Sequence, residues 1–142
     1  MKKVILGGIA LLVVFGLAIQ LVPYGKDHNN PPVIAEPNWD SPQTKALYDR
    51  ACADCHSNDT NWPWYTNIAP VSWLVQHDVE DGRRHLNTSV WGTQRVETHE
   101  IGEVILEGEM PMPIYTVMHP EANLTQSEKQ ALAQGLLATF SQ

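Results

Sequence analysis

Residues 52–56 read Cys52-Ala53-Asp54-Cys55-His56, a C-x-x-C-H motif that contains both cysteines of the 142-residue chain. This spacing is the attachment signature of a c-type haem. Two thiols three residues apart at a helix end can both reach the vinyl groups of one porphyrin, and the adjacent histidine then lies under the iron. The motif therefore predicts one covalently attached haem c, with Cys52 and Cys55 in thioether bonds and His56 as an axial ligand.

Three other interpretations of the two cysteines are disfavoured. A thioredoxin-like redox pair needs a β-α-β setting, which this chain does not predict. A zinc site needs a second ligand pair, and neither another C-x-x-C nor an H-x-x-x-H pair is present. A disulfide between cysteines so close on one turn would be awkward to form. Haem binding is the favoured interpretation.

Length and charge limit the remaining classes. The chain is short enough to form one domain, so a multi-domain enzyme is disfavoured. Its formal net charge is −7, and the part outside the apolar amino-terminal stretch is more acidic still. Such a surface repels phosphate backbones, so no nucleic-acid partner is expected.

The amino-terminal stretch predicts a membrane segment. Residues 4–22 carry no charge and follow Lys2 and Lys3. At about 1.5 Å per residue they would span roughly 28 Å, close to the hydrocarbon thickness of a bilayer. No small-x-small cleavage site follows, so we favour an uncleaved anchor over a cleaved signal peptide. The two lysines predict a single pass through the bacterial cytoplasmic membrane, with the following domain on the periplasmic or extracellular side.

The rest of the chain predicts a small all-α, cytochrome c-like helical domain. We divide the chain into a signal-anchor segment at 1–23, a Pro-rich tether at 24–40 and a haem-binding domain at 41–142. Helices are predicted over residues 43–51, 70–85 and 94–107, and a last one after the capping box of Thr125 and Glu128. The prolines of residues 109–123 predict an irregular segment.

All five tryptophans lie between residues 39 and 91. A small domain gains much of its core from an apolar ligand, and tryptophan suits the wall around a porphyrin. For Trp39 and Trp91 an ordinary place in the core is the better interpretation. The haem-pocket candidates are Trp62, Trp64, Tyr65, Pro70, Trp73, Arg83, Met112 and Tyr115.

From the motif onward the chain resembles the bacterial haem-binding domain family, which comprises exported proteins with one C-x-x-C-H site. The resemblance is carried by the runs at 52–58, 62–65, 68–75 and 108–111, together with Asp78-Val79, Gly82-Arg83, Leu86-Asn87 and the segment 24–32. It implies covalent haem on Cys52 and Cys55 and ligation by His56, but no substrate. The helix order also resembles small class I cytochromes c.

The sequence does not decide which residue is the sixth ligand of the iron. Met110 stands in Gly108-Glu109-Met110-Pro111, the setting in which class I cytochromes place their methionine, and a thioether ligand raises the reduction potential. The alternatives are no protein ligand, Met112 or His119. His77, His85 and His99 are further rivals on predicted helices, and Met118 ends the same loop as His119.

Two weaker expectations concern the surroundings of the haem. The second imidazole nitrogen of His56 needs a partner, and a backbone carbonyl near Pro63 or Pro70 is expected to supply it. Arg83 and Arg84 could neutralise a haem propionate, although a solvated helix face is an equally good interpretation.

The leading functional hypothesis is a membrane-anchored monohaem c-type cytochrome that transfers single electrons and is not an enzyme. Its redox partner would present a basic docking patch to the acidic domain. The alternative is a haem-based sensor or ligand-binding protein with an open or labile sixth position. An accessory peroxidase role and a non-haem thiol or zinc module rank lower.

Overall fold

A computed structural model describes residues 1–141, except for the side chain of His99. Within those residues the regular structure is helical, and the one β-type pairing is an isolated parallel bridge between Ala35 and Val90. The predicted all-α class is therefore confirmed. Seven α-helices are described: α1 Lys2–Ile19, α2 Pro42–Ala51, α3 Ala53–His56, α4 Val71–His85, α5 Thr98–Glu107, α6 Pro113–Met118 and α7 Gln126–Phe140, with 3₁₀ turns at Trp64–Asn67 and Pro120–Ala122.

The predicted helix ends follow from local capping. Ser41 accepts a hydrogen bond from the Thr44 N–H and starts α2. Thr125 and Glu128 form the capping box of α7. Gly108 follows α5 with φ of 83°, a left-handed conformation that favours glycine.

Two predicted boundaries were wrong, and both have a local cause. Helix α5 begins at Thr98 rather than near Gln94, because the Gln94 side chain donates to the Arg83 carbonyl and accepts from the Asn87 N–H beyond the end of α4. The segment 109–123 is not wholly irregular. Pro113 occupies the first turn of α6, where its missing N–H costs nothing, so the proline starts a helix instead of preventing one.

The chain divides into two compact units. The first consists of Met1–Asn29 and Trp62–Asp78, and the second of Asn30–Asn61 and the chain from Val79 onward. In the first unit, the Gln20 amide hydrogen-bonds the backbone of Ala69. His28 stacks on Trp62 with ring centroids 4.8 Å apart.

The core of the second unit joins α2, α5 and α7. Tyr48 and Leu132 are almost completely buried there. Trp39 and Trp91 pack against this core, and Trp91 lies 4.6 Å from the ring of Phe140, as expected for ordinary core residues.

The Pro-rich segment is hydrogen-bonded along its length. Up to Asn29 it belongs to the first unit, and from Asn30 to the second. Ile34 and Ala35 both donate N–H groups to the Ser89 carbonyl. The division at 1–23, 24–40 and 41–142 stays a prediction.

Candidate haem-binding site

The C-x-x-C-H motif occupies the junction between two helices of the second unit. Cys52 ends α2, and its N–H donates to the Tyr48 carbonyl at 2.8 Å. The next turn is α3, in which the His56 N–H donates to the Cys52 carbonyl at 2.9 Å. Gly82 of α4 approaches this turn so closely that an added Cβ would lie 2.5 Å from the Cys55 carbonyl oxygen. The motif therefore has a fixed backbone, and α4 needs glycine at this contact.

The imidazole of His56 is oriented by a backbone carbonyl. Its Nδ1 lies 3.1 Å from the Leu86 oxygen. Since a carbonyl can only accept, Nδ1 carries the proton in this hydrogen bond, and in the neutral ring Nε2 keeps its lone pair for a metal. Burial lowers the pKa of His56, which favours that neutral form.

The carbonyl partner differs from the one expected. The hydrogen bond comes from Leu86, just after α4, so the expectation of a partner near Pro63 or Pro70 was wrong. Every residue offers a carbonyl, so no sequence signal could have selected Leu86.

A second set of hydrogen bonds fixes the main chain of His56. Its carbonyl oxygen accepts from the Tyr48 hydroxyl at 2.8 Å and from the Thr88 N–H at 3.0 Å, and the Thr88 hydroxyl lies at 3.3 Å. Tyr48 is only 1% exposed, and burial raises the pKa of its hydroxyl well above 10.0, so it remains a donor. Neither residue belongs to a motif, so the sequence alone does not single them out.

The imidazole faces a cavity of about 340 Å³ whose lining comes entirely from the second unit. Ligand pockets in proteins commonly hold roughly 300–1,000 Å³. Cys52, His56 and Met110 contribute to the wall. The rest of the lining is Tyr48, Ala51, His85, Leu86, Arg95, Val96, Glu97, Glu100, Ile101, Val104, Ile105, Pro111 and Leu136. A largely apolar wall that also presents two imidazoles, one thiol and one thioether fits the apolar face and the iron of a haem.

The thiols of the motif are not joined to each other in a disulfide. Burial, followed by the proximity of Cys55 and Asp49, raises the pKa of Cys52 to about 12. The Cys52 thiol is therefore protonated at neutral pH, in an environment that disfavours a thiolate. Among the described side chains, no group of three or more His, Cys, Asp or Glu residues is arranged to hold a metal ion.

Of the sequence candidates for the sixth ligand, Met110 and His85 line this cavity. Met110 is turned toward it by the reversal after α5, where the Met110 N–H donates to the Val104 carbonyl at 3.0 Å. Met112 occupies the N-cap position of α6, without a capping hydrogen bond from its side chain. His119 stacks on Tyr115 at 4.3 Å and lines a separate cavity of about 450 Å³.

The other predicted pocket residues lie elsewhere. The whole lining of the 340 Å³ cavity comes from the second unit. Five of the candidates belong to the first unit: Trp62, Trp64, Tyr65, Pro70 and Trp73. Tyr115 donates from its hydroxyl to Asp54 at 2.7 Å and lines the second cavity. It therefore supports the motif from outside the cavity that His56 lines.

The two arginines considered for a propionate are engaged within the protein. Arg83 donates to the Ser57 carbonyl at 2.8 Å and to the Thr60 hydroxyl at 2.9 Å, which ties α4 to the loop after the motif. Arg84 forms an ion pair with Asp81 on the same helix.

Comparison with known proteins agrees with this chemistry. A family model described as "Haem-binding domain" matches residues 14–138, which is most of the chain. No curated protein and no solved structure matches it significantly. Because this match covers most of the chain, the chain belongs to the haem-binding domain family.

Proposed function

We propose that this protein is a membrane-anchored monohaem c-type cytochrome that carries single electrons outside the cytoplasm and is not an enzyme. The observation that carries the proposal is the presence of His56, Cys52 and Met110 in the wall of one cavity. Among the described residues, helix α1 is long and apolar enough to cross a membrane, which supports the anchor. Lys2 and Lys3 support a domain on the periplasmic side.

When bound, haem supplies an iron centre that gains or loses one electron. Cys52 and Cys55 would hold it covalently through thioether bonds, and His56 would ligate iron through Nε2. The carbonyl of Leu86 keeps the proton on Nδ1 and so keeps Nε2 available. Met110 would supply the sixth ligand, and the aliphatic wall would exclude water from the iron.

The redox partner would carry a basic docking patch. Glu97 and Glu100 line the cavity, and the exposed side of α5 continues this acidic face with Glu103 and Glu107. Opposite charges raise the rate of encounter, and salt screens them. Electron transfer to a small basic redox protein should therefore slow as ionic strength rises. An unchanged rate would remove the case for a basic partner.

Covalent attachment is tested by haem staining after denaturing electrophoresis of protein expressed with a c-type maturation system. Staining of wild type, weaker but retained staining in Cys52→Ala and in Cys55→Ala, and its loss in the double variant would support two thioether bonds. Absence of stain from the wild type would refute the c-type assignment. Alanine has no thiol and cannot form a thioether bond, and His56 is unchanged in every variant.

The sixth ligand is tested by the absorption spectrum of the oxidised protein. The sulfur–iron charge-transfer band should be present in wild type and in Met112→Ala, and absent from Met110→Ala. A wild-type high-spin spectrum that shifts on addition of carbon monoxide or nitric oxide would instead support the haem-based sensor. Persistence of a six-coordinate spectrum in Met110→Ala, combined with its loss in His85→Ala, would identify His85 as the ligand.

A further inference from the structure

A second uncharged stretch follows the motif. Residues 60–77 contain no Asp, Glu, Lys or Arg, although 18% of the chain is charged. Most of this stretch falls in Trp62–Asp78, the part of the first unit that is packed with the amino-terminal helix. These residues belong neither to the core of the second unit nor to the lining of the cavity beside His56.

Several large apolar side chains of this stretch are exposed. Trp64 is 75% exposed, and Ile68, Val71 and Leu74 are between 40% and 45% exposed. Val71 and Leu74 are three positions apart on α4 and therefore share one face of that helix. These four exposed side chains recur every three or four residues between positions 64 and 74, and we call them the apolar patch.

Gln20 fixes where this stretch lies relative to α1. Its Nε2 donates both to the Gly16 carbonyl at 3.1 Å and to the Ala69 carbonyl at 2.8 Å, and its Oε1 accepts from the Ala69 N–H at 3.0 Å. Because the side chain reaches back to Gly16, Ala69 lies beside the last turn of α1 rather than beyond its end. For a spanning helix, the last turn lies where the hydrocarbon meets the lipid headgroups.

A second contact holds the same arrangement. Gly25, with φ of 77°, approaches α4 so closely that an added Cβ would lie 2.1 Å from the Ser72 carbonyl oxygen. His28 then stacks on Trp62 and its Nε2 lies 3.1 Å from the Thr66 carbonyl. The chain leaving α1 is thus packed against the uncharged stretch at several successive points.

We propose that the apolar patch lies in the lipid headgroup region and forms a second membrane contact beside the anchor. This inference rests on the membrane anchoring in the proposed function. Tryptophan is enriched at this level of the bilayer, and aliphatic side chains gain from leaving water there. The chain is acidic, and anionic headgroups repel acidic surfaces. The uncharged stretch carries no acidic side chain, so it can approach them without that repulsion.

The test is photo-crosslinking of the full-length haem protein in nanodiscs of phosphatidylethanolamine and phosphatidylglycerol. A diazirine is placed on the acyl chain near the headgroup, and lipid adducts are mapped by mass spectrometry. Adducts are expected on α1 and on residues 62–74. In the double variant Trp64→Ser, Ile68→Ser, the adducts on 62–74 should fall to about half or less, because only Val71 and Leu74 remain of the patch, while those on α1 and the haem stain are retained.

Two further variants sharpen the result. Val117 is 78% exposed but belongs to the second unit, so Val117→Ser should leave the adduct pattern unchanged. Gln20→Leu keeps α1 apolar but removes both bonds to Ala69, so it should reduce the adducts on 62–74 without reducing those on α1.

The outcomes separate the two proposals. Adducts on α1 with none on residues 62–74 would overturn the second contact and leave the anchor intact. Adducts on neither segment would overturn anchoring and the second contact together, while haem staining would still report the c-type site. Equal labelling of the peptide containing Val117 would also overturn the proposal, because it would show labelling of any exposed apolar side chain.

Discussion

Substitution of Gly82 by alanine should damage the site through its backbone. An added Cβ at this position would lie 2.5 Å from the Cys55 carbonyl oxygen and 2.9 Å from the Cys55 Cβ. The oxygen is a backbone atom and Cβ is bonded directly to the backbone, so neither atom can move aside by rotation of a side chain. Helix α4 and the C-x-x-C-H turn must separate instead.

The magnitude follows from two opposing terms. Overpacking a tight contact costs about 1–3 kcal/mol, and a contact this short with backbone belongs at the upper end. Alanine in a helix interior gains about 1 kcal/mol over glycine. The net loss in the free energy of unfolding is therefore about 2 kcal/mol, which lowers the urea midpoint by roughly 1 M for a domain of this size.

Gly102 supplies the matched control. It is also inside a helix, α5, but its added Cβ would meet only the Ala133 Cβ, at an ordinary 3.9 Å. Gly102→Ala should therefore gain about 0.5–1 kcal/mol from helix propensity.

The assay is urea unfolding of the detergent-solubilised haem protein, followed by circular dichroism, with the haem stain per protein measured in parallel. Gly82→Ala should unfold at lower urea and Gly102→Ala at slightly higher urea. Equal midpoints for Gly82→Ala and wild type would refute the reasoning, because the close approach of α4 to the motif would then carry no energetic consequence.

Two other predictions concern hydrogen bonds. Tyr48→Phe removes one donor to the His56 carbonyl but leaves the Thr88 N–H, so the urea midpoint should fall by the equivalent of about 1 kcal/mol; an unchanged midpoint would contradict the assigned role. The hydrogen bond from Arg50 lowers the pKa of Glu128 from 4.5 to about 2. Since the folded-state pKa lies below the unfolded one, this stabilisation is present above pH 4.5 and is lost as the pH falls through about 2. In Glu128→Gln the urea midpoint should depend less steeply on pH across that range. An equally steep dependence in the variant would exclude the ion pair with Arg50 as its source.

The parts of the fold that were predictable are those set by neighbours in sequence. Ser41, Thr125 and Gly108 end helices through bonds within one turn, so their residue types alone indicate the boundaries. Gln94 shows the limit of this reasoning. Its side chain bonds the carbonyl of Arg83, a distant partner, and so delays the start of α5.

The same limit applied to the aromatic residues. A high local density of tryptophan predicted a haem wall, whereas the lining of the cavity beside His56 contains no tryptophan and includes Ile101, Val104 and Ile105 of α5. Trp39 and Trp91 fill the helical core, and Trp64 is largely exposed in the first unit. The residue type shows that an aromatic side chain can pack against a haem or in a core. Which of these neighbours it contacts depends on packing between segments that are distant in sequence.

By itself, the sequence indicated haem binding at residues 52–56, because two thiols and an imidazole at that spacing are the signature of haem attachment. It also determined the membrane-length helix, which depends only on an uninterrupted apolar run. Only the tertiary structure decided that Leu86 orients His56, that Tyr48 holds its carbonyl, and that Met110 reaches the same cavity. Those choices join atoms 8 to 54 residues apart in sequence, and the spatial closeness that selects them exists only once the helices have packed.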